Sequence, residues 1–171
     1  MVAAVEHKDP TVMMTARIFT YRNPVRNCIY ILALLYAASF AVTYYRGWWD
    51  TLVGLLVTLV GIAALLYPLD NGSVLLDVFY WATFGTIGLH VLAIGLISQD
   101  LIQTDINFTL GLPTSFQSEN GIWNLYLAII AVISVQIIAA AVTLNYCHRL
   151  RVEIAGNILL THSDYTDLST L

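Results

Sequence analysis

Charge is what this chain has least of. Asp, Glu, Lys and Arg make up 11% of its 171 residues, against roughly 25% in soluble domains. That shortage excludes an ordinary water-facing surface. Together with a formal net charge of −4 it also excludes the basic footprint that nucleic acid requires. Only two cysteines are present, and no His/Cys/Asp/Glu cluster has metal-ligand spacing. His-Glu-x-x-His, Gly-x-Ser-x-Gly and a phosphate-cradling glycine loop are all missing. No catalytic residue, cofactor or metal site is expected. Internal repeats, a broken helix and several intramembrane charges, the marks of a transporter, are absent as well. The one breaker candidate, Pro68, stands at a segment end.

What the chain has instead is apolar length. Hydrophobic residues reach 58% and mean hydropathy is +0.75. A hydrocarbon core about 30 Å thick needs roughly 20 helical residues at about 1.5 Å each. Four uncharged runs meet that length, near 27–45, 51–68, 74–98 and 122–146. The expected fold is an all-α integral membrane four-helix bundle, with a tail over 1–26, a loop over 99–121 and a second tail over 147–171. The mixed and polar residues ahead of the first run argue against a cleaved signal, whose apolar stretch is shorter and nearer the start.

Basic residues set the expected orientation. Lys8, Arg17, Arg22 and Arg26 precede the first run, Arg149 and Arg151 follow the fourth, and only Arg46 falls on the other side. Both termini are therefore expected in the cytosol. The 99–121 loop then lies outside, where Asn107-Phe-Thr109 offers a glycosylation sequon. Asn71-Gly-Ser73 fits the same pattern in a short cytosolic turn. Cys28 and Cys147 face a reducing compartment at helix ends, so no disulfide is expected. Each is either a palmitoylation site beside basic residues or a small apolar residue.

Helices in lipid associate through close approach of small side chains and a few polar contacts. Gly54, Thr58 and Gly61 share one face of the second run. Gly85, Gly88 and Gly95, with Trp81 and Leu92, line the third, and Ala131, Ser134 and Ala141 the fourth. These faces are expected to pack within the chain or, second, against another copy. His90 stands about 200° from Gly88 and shares its depth with no evident carboxylate or base. It is expected to be a neutral imidazole pinning the bundle, with a proton or substrate role as the alternative. Gln136 is the other polar group near the midplane.

Aromatics gather at both interfaces. Tyr44, Tyr45, Trp48, Trp49, Trp123 and Tyr126 lie on the outer side, and Tyr30, Tyr67 and Tyr146 on the inner. "YYRGWWD" thus reads as a belt before it reads as a recognition patch. The C-terminal tail is expected to lack structure. There Tyr165-Thr-Asp-Leu168 has the tyrosine-x-x-bulky form that sorting adaptors read.

This layout of four spans, cytosolic tails, a short first outer loop, a longer second one and a tail with Tyr165 and Leu168 resembles small four-span groups. They are the MARVEL-type proteins, lysosome-associated four-span proteins and Pasiflora-type junction proteins of invertebrates. It departs from tetraspanins, because the 99–121 loop has no Cys-Cys-Gly, and from the lysosomal group, because the tail has no Pro-Tyr motif. The resemblance implies membrane organisation, junction assembly or trafficking without catalysis, at the plasma membrane or in endosomes and lysosomes. Expected partners are membrane lipids, other membrane proteins or a second copy, and cytosolic sorting adaptors. The rival expectation is a transporter or channel subunit using His90.

Overall fold

A computed structural model describes residues 19–44, 46–66, 69–103 and 119–168, with side chains over 74–102 and 120–156 in the last two stretches. The described residues form α1 (Arg22–Thr43), α2 (Trp48–Leu66), α3 (Leu69–Gln103) and α4 (Glu119–Leu168). All four contain stretches long and apolar enough to cross a membrane. Each packs against two neighbours in a ring, α1 on α2, α2 on α3, α3 on α4 and α4 on α1, so α1 and α3 are diagonal.

One spacing organises the interior. The buried positions are Val25, Ile29, Leu32, Tyr36, Ser39 and Thr43 on α1, then Leu76, Phe79, Thr83, Thr86, His90, Ala93 and Ile97 on α3. On α4 they run Tyr126, Ile129, Ile133, Gln136, Ala140, Thr143, Cys147, Leu150 and Ile154. Alternating steps of three and four give a 3.5-residue repeat, the pattern that keeps one seam inward in a left-handed bundle. The exterior carries Ile31, Leu34, Leu56, Leu59, Val91, Val135 and Ile138. An apolar outside around a partly polar inside suits hydrocarbon, where burial of apolar groups no longer drives helix association.

The two ends are closed differently. At the end carrying the α1–α2 turn, Arg46 Nε donates to Asp100 Oδ2 at 2.8 Å. At the opposite, basic end, Val25, Ile29, Leu65, Leu76, Phe79, Cys147, Leu150 and Ile154 form an apolar cluster. There Glu153 of α4 accepts the backbone N–H groups of Thr20 and Tyr21 at 2.8 and 3.2 Å. Arg22 donates to the Leu65 carbonyl near the α2 C-terminus at 3.3 Å. Both are helix ends whose free backbone groups are satisfied by a neighbouring helix. Glu153→Ala is expected to lower stability by about 1 kcal/mol, the usual cost of losing a cap. Glu153→Gln, which keeps one acceptor, loses less, and thermal unfolding in detergent reads the difference.

The helices extend past the expected runs at several ends, as α1 does to Arg22 and α3 to Leu69 and Gln103, and two further differences bear on the site and the tail. α2 begins at Trp48, where the expected second span begins near residue 51, because Gly47 takes a left-handed φ of 87° and turns the chain within four residues. α4 runs 50 residues to Leu168, so helix continues where an unstructured tail is expected.

Candidate functional site

The early start of α2 changes what surrounds His90. Asp50, expected in an outer loop, occupies the first turn of α2 and points inward with 1% of its surface exposed. His90 Nδ1 lies 2.9 Å from Asp50 Oδ1 and 2.8 Å from Oδ2. Its Nε2 lies 2.8 Å from the Tyr36 hydroxyl, across the bundle on α1. The expectation that no carboxylate shares His90's depth is therefore corrected. The carboxylate also sits at the N-terminal end of α2, where the helix dipole favours negative charge.

These contacts admit a definite set of donors. With a neutral ring, Nδ1–H donates to the carboxylate and Nε2 accepts the Tyr36 O–H. With a proton on both nitrogens, Nε2–H donates to the phenol oxygen, and the phenol hydrogen must turn to another acceptor. The Thr86 hydroxyl, on the same face of α3, donates to the Thr83 carbonyl at 2.7 Å. Asp50, His90 and Tyr36 are thus a hydrogen-bonded chain that joins α2, α3 and α1.

The network reaches the remaining helix through α1. Gln136 Nε2 on α4 donates to Ser39 Oγ at 2.6 Å, and Ser39 donates to the Tyr36 carbonyl at 2.9 Å. Thr43 and Thr51 share a hydroxyl hydrogen bond of 2.9 Å between α1 and α2. Gln136 Oε1 is buried without a partner among the described residues. All four helices are therefore linked by polar side chains at one level.

A carboxylate, an imidazole and a hydroxyl in that order resemble an activated nucleophile. Its hydroxyl is closed in by neighbouring helices. Tyr36 is 1% exposed, and a Cβ on Gly54 would fall inside its ring. Among the described residues no group of three His, Cys, Asp or Glu side chains comes together to hold a metal. A cavity of about 290 Å³ opens at the turn end between Arg46, Trp49, Ala93, Ile97 and Asp100. It stops one helical turn from His90.

The other candidate residues separate clearly. Gly54 and Gly61 are packed, the latter so closely that a Cβ would lie 2.6 Å from Phe79 Cε2. Gly85, Gly88 and Gly95 face outward, where a Cβ would meet nothing within 4 Å. Cys28 is partly exposed and Cys147 fully buried in the basic-end cluster. A membrane-permeant maleimide is expected to label Cys28 and spare Cys147 in the folded chain, with Cys28→Ser abolishing the label until denaturation exposes Cys147. Asn107 lies outside the described residues. Tyr165 and Leu168 lie on the helical backbone of α4, and their side chains are outside the described set.

Sequence reasoning missed Asp50, Tyr36 and Ser39. Asp50 immediately precedes the second expected span, and pairing it with the lone intramembrane histidine was the available signal. No protein-family model, curated protein or solved structure matches the chain.

Proposed function

We propose that the chain is a four-span membrane protein, both termini cytosolic, that acts without catalysis as an organiser of membrane contacts, junctions or protein traffic. It does so through its lateral helix faces and the 99–121 loop. The observation that carries this reading is the way the interior polar groups are used. Asp50, His90, Tyr36, Ser39 and Gln136 bind one another across four helices, which makes them the adhesive of a bundle in lipid. The exterior, by contrast, offers aromatic and glycine positions on α3 that none of the described residues covers. The layout shared with small four-span groups points the same way. A conducting subunit would need a path through the Val25, Ile29, Leu76, Phe79 and Leu150 layer.

Microscopy of the C-terminally tagged chain in its native cells tests the proposal. An organiser concentrates at cell borders or on endosomes and keeps that distribution in the His90→Ala form if folding survives. A sorting role moves the Tyr165→Ala form to the cell surface. Ion or solute flux in reconstituted vesicles that vanishes with a folded His90→Ala variant would overturn the organiser reading. An endoglycosidase-sensitive mass shift lost in Asn107→Gln would test the orientation.

A further inference from the structure

The basic end holds a second cavity, of about 350 Å³, in the groove between α3 and α4. Leu76, Asp77, His148, Arg151, Val152 and Ala155 line it. Arg151 reaches across the groove from α4. Its Nε donates to Asp77 Oδ1 at 2.5 Å, and its guanidinium lies 4.4 Å from the centre of the Tyr80 ring. The planar group is thus held by a carboxylate at one edge and an aromatic ring on one face. Among the described residues neither terminal NH2 group makes a hydrogen bond. His148, exposed and one helical turn before Arg151, adds a donor on the same wall, 6.3 Å from the Tyr80 ring centre. Arg149 turns away to the Tyr21 ring and Arg22 to the Leu65 carbonyl, so among the described residues the polar side chains facing the groove are those of Arg151, Asp77 and His148.

An isolated Arg–Asp pair that is half open to solvent adds little to stability. A guanidinium already fixed in orientation is suited to something else, two parallel N–H bonds to a phosphate, without ordering a flexible side chain on binding. The rest of the lining is apolar, and the cavity falls inside the apolar stretches Val74–Ile102 and Asn120–Gly156, near their ends. That is the depth at which a phospholipid places its phosphate and the first part of its acyl chains.

We propose that the α3–α4 groove at the basic end binds the phosphate of an anionic phospholipid, with the Arg151 guanidinium and the His148 imidazole as donors. Asp77 is a positioning residue for Arg151. The site requires the helices to lie in a bilayer and is indifferent to which way round they lie, so it stands apart from the orientation and trafficking parts of the proposed function.

Native mass spectrometry of the full chain released from micelles tests the site, with phosphatidic acid as probe and phosphatidylcholine as reference. Phosphatidic acid is expected to bind about tenfold more tightly, the scale of one charge-assisted hydrogen-bonded contact. Arg151→Gln abolishes that preference and His148→Asn reduces it about threefold. Asp77→Asn retains it, because the amide oxygen still accepts the Nε–H. A purely structural ion pair would make Arg151→Gln and Asp77→Asn behave alike, and equal loss of preference in both overturns the proposal. So does an unchanged preference in both Arg151→Gln and His148→Asn. Competition by inorganic phosphate as effective as that by phosphatidic acid would overturn the lipid as occupant.

Discussion

Asp50→Leu is expected to destabilise the bundle by about 3 kcal/mol, the upper end of the range for leaving a buried polar group without its partner. The substitution leaves His90 Nδ1–H without an acceptor where both residues are essentially inaccessible, and it loosens the ring that orients Tyr36. Asp50→Asn keeps an acceptor and should cost about 1 kcal/mol, one ordinary hydrogen bond. The Asp50→Leu/His90→Leu pair removes the polar demand together with its partner. It is expected to be no less stable than Asp50→Leu alone, with a coupling energy of about 2 kcal/mol. Reversible unfolding in mixed micelles by titration with a denaturing detergent measures these three and the His90→Leu single variant that closes the cycle. A single-variant loss near 0.6 kcal/mol, the mean for interhelical hydrogen bonds in membranes, together with additive losses in the double variant, would mean that the contact is not a pin.

Much of the fold is legible in the sequence because hydrocarbon imposes a length. Four runs of about 20 uncharged residues can be read before any residue-level argument, and each overlaps one of the four helices over most of its length. The interior is much harder to read. In a soluble bundle a 3.5-residue repeat shows as apolar residues among polar ones. Here the repeat on α3 runs Leu76, Phe79, Thr83, Thr86, His90, Ala93, Ile97, while Val78, Trp81, Phe84, Val91 and Leu92 lie outside it. Apolar residues occupy both sides of the seam, so hydropathy alone does not point inward. The polar members do, because Thr, Ser, His and Gln in a span have better partners in the bundle than in lipid.

The candidate site was half legible for a related reason. His90 stands out in "TFGTIGLHVLAIGL", but its partner is hidden at the end of "YYRGWWD", a stretch that an interfacial belt explains on its own. The left-handed turn at Gly47 is what converts Asp50 from a loop residue to the third residue of α2. That conversion depends on one backbone torsion, which spacing and composition do not reveal. Tyr36 was equally concealed, since a tyrosine within an apolar run gives no sign of a diagonal contact to α3.

The glycines should divide sharply under substitution. Gly54→Ala places a methyl group in the Tyr36 ring, and that ring is held by His90 and cannot swing aside at low cost. Gly61→Ala meets the fully buried Phe79. Each is expected to lose about 2–3 kcal/mol, as overpacking does in close-packed interiors, and the two helices must separate to relieve it. Gly88→Ala meets open space, so the folded chain accepts it without strain. There the smaller backbone entropy of alanine should raise stability by up to about 1 kcal/mol. Unfolding measurements on the three variants check the sign in each case. Gly88→Leu then separates fold from assembly. It should leave the isolated bundle intact, because its side chain points away from the other described helices. If α3 meets a neighbouring membrane protein or a second copy along Gly85, Gly88 and Gly95, the same change prevents close approach and lowers cross-linking to that partner severalfold. Unchanged cross-linking with a normal unfolding curve would move the lateral contact off α3 and leave that face to lipid.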